Sequence, residues 1–219
     1  MATRNHRFAP GEFYHVFNRG TEKRMIYQTT SDYQRFVNLL YLANTSTPIN
    51  VRDIVRDYRT VWDYEISDRL VSVGAYCLMP NHFHILLTPL TEDGVGVFMN
   101  KLCTSYTMYF NKKSERTGSL FQGTYKSTHA DSNNYLKYLY AYIHLNPLKV
   151  CQRAGEDPLT ALRRYQYSSL PDYLGQSRPE GIILTPEAFP EYFQTSADHL
   201  GELKSWLLHE DEFTEGYPR

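Results

Sequence analysis

The 219 residues are enough for one sizeable core and too few for several, so a single main domain is expected over 1–175, followed by a short extension over 176–219. No apolar run approaches the roughly eighteen residues that span a bilayer, and the opening MATRNHRFAPGEF lacks the apolar centre of a secretory leader, so a cytoplasmic protein with no membrane contact is expected. The net charge of -1 hides an asymmetry: residues 1–175 carry 20 Lys and Arg against 15 Asp and Glu, whereas residues 176–219 carry 3 against 9.

Taken in chain order, EFYHVFNRG (12–20) alternates apolar with polar residues and ends at glycine, which predicts a first strand. SDYQRFVNLLYLANT then predicts a helix with Ser31 as its cap and Phe36, Leu39 and Leu40 inward. The polar segment 46–67 reads as an insertion lying over the surface. Next, LVSVGAYCLM places Val71, Val73, Ala75 and Cys77 on one strand face, turns at Met79-Pro80-Asn81, and returns as HFHILLT, a hairpin. A helix over 95–113, a strand near SLFQGTYKST and a helix over 132–145, stopped by Pro147, complete the order β-α-β-β-α-β plus one helix. The expected fold class is therefore α+β, a ferredoxin-like antiparallel sheet with packed helices. The extension carries two short helical patterns, over 186–193 and 197–209, and is expected to pack on the domain edge.

Three features carry chemistry. Alternate residues of a strand share a face, so His82 and His84 point the same way and can reach one ion. Two ligands do not make a metal site, and a third must come from elsewhere. On the helix NNYLKYLYAYIHLNP, Leu136, Leu139, Tyr140 and Ile143 form the core stripe, while Tyr138, Tyr142 and Asn146 share an adjacent face at i, i+4 and i+8. That face offers an amide oxygen, a hard ligand compatible with Mg2+ or Mn2+, one turn from a phenol able to attack an electrophile. His144 faces away from it. Third, residues 101–153 hold eight basic residues, two acids and seven tyrosines. Bases interleaved with aromatic rings suit single-stranded nucleic acid, and Lys101, Lys112, Lys113, Arg116 and Lys126 are the candidate DNA contacts. Cys77, Cys103 and Cys151 have no zinc-type spacing and are expected to be reduced and buried.

The motifs YCLMPNHFHILL, FYHVFNRG and YIHLNPLK, with SLFQGTYKS and YQYSSLPDYLG, together resemble the single-tyrosine HUH transposases of small bacterial insertion sequences, including the REP-associated tyrosine transposases. The resemblance runs over about 13–173. It implies that His82, His84 and Asn146 hold Mg2+ or Mn2+ and that Tyr142 attacks single-stranded DNA at hairpin-marked sites, forming a 5′-phosphotyrosine. It also implies either a monomer or a homodimer. The insertion over 46–67 and the acidic extension fall outside the pattern. The alternative is a domesticated single-stranded DNA or RNA binding protein that keeps the fold without the chemistry.

Overall fold

The computed structural model describes residues 7–208. In chain order they form β1 (Tyr14–Arg19), α1 (Thr30–Leu42), α2 (Val51–Asp57), β2 (Val71–Met79), β3 (His82–Pro89), α3 (Gly94–Lys113), β4 (Lys126–His129), α4 (Asn133–Leu145), α5 (Leu148–Cys151), α6 (Pro158–Arg164), α7 (Leu170–Tyr173) and α8 (Ser196–Leu208). The four strands make one antiparallel sheet, as the β-α-β-β-α-β pattern predicts, and its order is β2-β3-β1-β4.

Each sheet face is covered by its own helices. Phe83, Ile85 and Leu87 of β3 join Tyr14 and Val16 of β1 in a core with α1 and α3, closed by Phe36, Phe98, Leu102 and Tyr106. Leu86 points the other way, into a second core with Leu136, Leu139 and Ile143 of α4. Burying each of these aliphatic side chains stabilises the fold by roughly 2 kcal/mol.

The first strand of the hairpin departs from the simple alternation. A register shift between Val73 and Ala75 leaves Gly74 as an extra residue, so Val71 and Val73 lie in the first core and Ala75, Cys77 and Met79 in the second. A side chain at Gly74 would meet the Phe189 ring and the Tyr140 hydroxyl at 2.8 Å, which explains the glycine. The bulge sets Cys77 opposite His84 and Met79 opposite His82. Of the three cysteines, Cys77 alone is fully buried, and all three are free thiols.

Other expectations need correction. The cap of α1 is Thr29, because the buried Asp32 carboxylate accepts from the backbone N–H of both Gln28 and Thr29 at 2.9 Å, leaving Ser31 inside the helix. Segment 46–67 is no loose surface insertion: it carries α2, buries Ile54 and Val61 in the first core, and packs Trp62, Tyr64 and Ile66 against it. Helix α4 does end at Leu145, as Pro147 predicts, yet the backbone keeps helical angles past that end. Asn146 is itself helical (φ -49°, ψ -42°), its N–H donates to the Tyr142 carbonyl at 3.1 Å, and Pro147 leads directly into α5. Of the extension's helical patterns, the first shrinks to one 3-10 turn, Pro186–Ala188, and the second is α8, with position 209 outside the described residues.

The extension packs deeper than an edge. Ile183 enters the first core, Phe189 the second, and Leu203 of α8 sits beside Ala141 of α4. Behind α4, the fully buried His144 joins His199 Nε2 through its Nδ1 at 2.8 Å and Ser169 Oγ through its Nε2 at 2.8 Å. Burial lowers both histidines, His199 to about 4 and His144 well below its ordinary 6.5. Such a group takes up its proton on unfolding, so from about pH 6.5 downward the unfolded chain binds more protons and stability falls as pH falls. The slope is roughly 1.4 kcal/mol per pH unit per histidine. Urea midpoints between pH 7.5 and 4.5 should therefore drop steeply, and His199→Leu should lower the midpoint at pH 7.5 yet flatten its pH dependence. An unflattened dependence would rule out a neutral pair.

Candidate active site

The face of the sheet under α4 gathers the candidate residues. His82 and His84 project from β3 on one side, as the strand period predicts, with ring centroids 4.9 Å apart and planes at 88°. Cross-strand pairing sets His82 beside Arg19 and His84 beside Phe17, while Phe17 pairs in turn with Lys126 of β4. Residues opposite one another share a face, so Arg19, Phe17 and Lys126 extend the histidine surface across the sheet. His15, two residues before Phe17, lies on the same face, diagonal to His84.

Helix α4 lowers its phenol face onto these rings. Tyr142 meets His84 edge-on, with centroids 5.4 Å apart at 85°, and His15 at 5.7 Å and 76°. Tyr138 stacks on Tyr142 at 5.9 Å and is covered by Trp206 of α8, whereas Tyr142 stays half-buried. Asn146 uses Nδ2 to donate to the Tyr142 carbonyl at 3.3 Å. Its Oδ1 is left unused by that bond, and the Asn146 amide lies close enough to the His82 ring to raise its pKa. One chain thus brings together His82, His84, Tyr142 and Asn146.

All three imidazoles on this face are held neutral. Burial lowers His15 to about 3, and burial with the neighbouring His15 and His82 holds His84 well below its usual range. Burial also lowers His82 to about 4, helped by the Arg19 charge and opposed by Asn146. Neutral imidazole is the form that binds a metal. Nδ1 of His82 lies 2.6 Å from Asn81 Oδ1, and Nδ1 of His84 lies 2.8 Å from His15 Nε2. His84 Nε2 is buried with no hydrogen-bond partner. A buried nitrogen left unpaired costs about 1–3 kcal/mol, and an ion would take it up as a ligand. Among the described residues no cluster of three or more His, Cys, Asp or Glu could hold a metal. A third protein donor would therefore be of another kind, and the Asn146 amide, one turn from Tyr142, is the candidate.

The predicted basic contacts divide. Lys101 Nζ donates to the carbonyls of Thr45 and Thr47 at 2.6 and 2.5 Å, and Arg116 bonds Asn111 Oδ1 at 2.6 Å. Lys113 Nζ lies 2.6 Å from the fully buried Asp32 carboxylate. Burial would raise that carboxyl, but Lys113, the Gln28 and Thr29 N–H groups and the Tyr109 hydroxyl together hold it below the usual range. Lys112 is exposed on α3, behind the sheet as seen from the histidines, and only Lys126 lies on the histidine face.

Sequence reasoning missed His15, Arg19 and Asn81. The first two alternate with Phe17 in YHVFNR and are legible as one strand face, but nothing local shows that this face is the one carrying His82 and His84. Asn81 reads as a turn residue only.

No helix among the described residues is long and apolar enough to cross a membrane. No curated protein sequence matches the chain. In fold it is similar to a solved REP-associated tyrosine transposase bound to a REP hairpin, with a TM-score of 0.52 at 12% identity over 82% of this chain and 90% of that one. The family model described as IS200-like transposase matches residues 33–146, just over half the chain, and its span holds both histidines of β3, Tyr142 and, at its last residue, Asn146. The chain therefore belongs to the IS200-like transposase family.

Proposed function

We propose that this protein is a transposase that cleaves and rejoins single-stranded DNA at hairpin-marked sites through a covalent 5′-phosphotyrosine on Tyr142. The observation that carries the reading is the half-buried Tyr142 ring set against His84, whose buried Nε2 has no partner, one turn from the Asn146 amide. A divalent ion held by His82, His84 and Asn146 would act as a Lewis acid on a phosphoryl oxygen of the scissile linkage. Two imidazoles with one amide oxygen suit Mn2+ better than Mg2+, which prefers oxygen throughout.

The chain's own residues do the rest. Asn146 and Tyr142 are one turn apart on a helix packed at both ends, which fixes the phenol relative to the ligand set. The Tyr142 oxygen attacks phosphorus and loses its proton. The bond from phosphorus to the 3′ oxygen breaks, and that oxygen gains a proton as it leaves. The 5′ phosphate stays on tyrosine as an ester, so a second 3′ hydroxyl can reverse the step without ATP. The partners that follow are single-stranded DNA and its hairpins, in line with the hairpin held by the structurally similar transposase. Mixing the protein with end-labelled single-stranded hairpin DNA and Mn2+, then running a denaturing gel, tests the reading. A labelled band at the mass of protein plus DNA is expected, and hairpin binding with no such band would favour the non-catalytic binding protein.

The DNA surface follows from the face that carries the histidines. Arg19 and Lys126 flank it and are both exposed. Removing one basic side chain that neutralises a phosphate should lower the slope of log affinity against log salt by about 0.7 for a single strand. Arg19→Glu with Lys126→Glu should flatten the slope by more than one, and Lys112→Glu, behind the sheet, should leave it nearly unchanged. Fluorescence anisotropy over a salt series checks this, and the opposite ranking would move the DNA to the α3 side. Lys113→Glu is unsuitable, because it would set two carboxylates against each other at a buried cap.

A further inference from the structure

We propose that His15 is a positioning residue whose Nε2 accepts the Nδ1 proton of His84 and so fixes the tautomer in which His84 can hold a metal ion. The inference rests on the metal reading above and deepens it.

The two rings lie nearly parallel, at 20°, and their facing nitrogens are 2.8 Å apart, so a single proton sits between them. Two arrangements are open to it. If His15 Nε2 holds the proton, His84 Nδ1 accepts, and the remaining proton of a neutral His84 must sit on Nε2. That nitrogen is buried without a partner, so the arrangement strands an N–H donor and offers no lone pair to an ion. If His84 Nδ1 holds the proton, His84 Nε2 carries a free lone pair and is ready to ligate. His15 selects the second arrangement only while its own Nε2 is unprotonated and its proton lies on Nδ1.

His82 offers the comparison. Its Nδ1 faces Asn81 Oδ1 at 2.6 Å, and the Asn81 amide cannot be turned round, because Nδ2 donates to the Lys23 carbonyl at 3.1 Å. Lys23 and Glu22 hold left-handed backbone (φ 60° and 56°), which brings that carbonyl to the turn. An amide oxygen can only accept, so His82 is locked with Nδ1–H and a free Nε2. The two histidines of β3 therefore share one design, a protein acceptor at Nδ1 and an open Nε2. The acceptor for His84 comes from another strand, 69 residues earlier in the chain. Removing such an outer partner from a ligating histidine usually lowers metal affinity by about 10–100-fold.

The test is Mn2+ affinity of the full-length protein without DNA, read from the free-ion EPR signal. His15→Phe keeps the ring packing against Phe17 and Tyr142 but has no acceptor, and should weaken Mn2+ binding by about 10–100-fold. His15→Gln, whose amide oxygen can accept, should stay closer to the wild type than His15→Phe. Equal affinity in His15→Phe and wild type would overturn the proposal. His84→Ala separates it from the metal reading: if that variant binds Mn2+ as the wild type does, or the wild type binds none, the metal reading falls with it. If His84→Ala loses the ion and His15→Phe keeps it, the proposal alone falls. Long-range 15N spectra of the Mg2+-loaded wild type give a readout that needs no variant. Nδ1 of His84 should carry the proton, and a proton on Nε2 of His15 would overturn the assignment.

Discussion

Tyr142→Phe should fold as the wild type does and form no covalent adduct with single-stranded hairpin DNA, while Tyr138→Phe keeps most of it. The substitution removes one oxygen from a half-buried ring and keeps the edge contacts to His84 and His15, so the fold loses little. The adduct depends on that oxygen entirely, and removing a nucleophile costs far more than about 10³-fold. Tyr138 is a control of the same chemistry on the same face. It lies about 6 Å further along the helix from Asn146, given a rise of 1.5 Å per residue. It is also 4% exposed, closed off by Trp206, so an incoming phosphate has no path to it. Denaturing electrophoresis with labelled DNA and Mn2+ decides the matter: an adduct that survives in Tyr142→Phe and disappears in Tyr138→Phe would move the nucleophile back one turn.

The second large effect is expected at the histidines. His84→Ala should abolish Mn2+-dependent cleavage, by more than about 10³-fold, and leave hairpin binding within a few-fold, because binding rests on phosphate and base contacts elsewhere. His84 is 5% exposed, and its loss opens a void and leaves His15 Nε2 unpaired, so a stability cost of about 2–4 kcal/mol accompanies the loss of the ion. His82→Ala removes a less buried ring at the end of the strand and should separate the two effects, with the same loss of cleavage at a smaller cost in stability. A mild effect of Asn146→Ala would be expected if proline pushed residue 146 out of the helix. Asn146 instead stays helical beside His82, so its loss should weaken Mn2+ binding clearly while leaving the two imidazoles in place. Parallel Mn2+ titration, cleavage and urea denaturation of the three variants measure all of this. Full cleavage by a folded His84→Ala variant would exclude the ligand assignment.

Much of the site is written in local periods. A spacing of two on a strand is enough to set His82 and His84 on one face, and a spacing of four on a helix is enough to align Tyr138, Tyr142 and Asn146. The hairpin and the two long helices follow from the same patterns and the turn at Pro80-Asn81. These features depend on residues a few positions apart, and backbone geometry fixes such relations whatever surrounds them.

What only the tertiary structure decided involves partners far apart in the chain. The bulge at Gly74 moved Ala75 and Cys77 to the histidine side, and Phe189 and Tyr140 occupy the space a side chain at 74 would need. Lys113 pairs with the buried cap carboxylate of Asp32 because α1 and α3 pack side by side. His144, which faces away from the site, found its partner in His199 of the extension. Asn146 kept its helical backbone through the Asn-Pro step against the local preference. The acceptors for the two candidate ligands, Asn81 for His82 and His15 for His84, belong to the same group. No sequence period links a nitrogen on one strand to the ring it orients on another, since that pairing exists only once the sheet has brought the strands together.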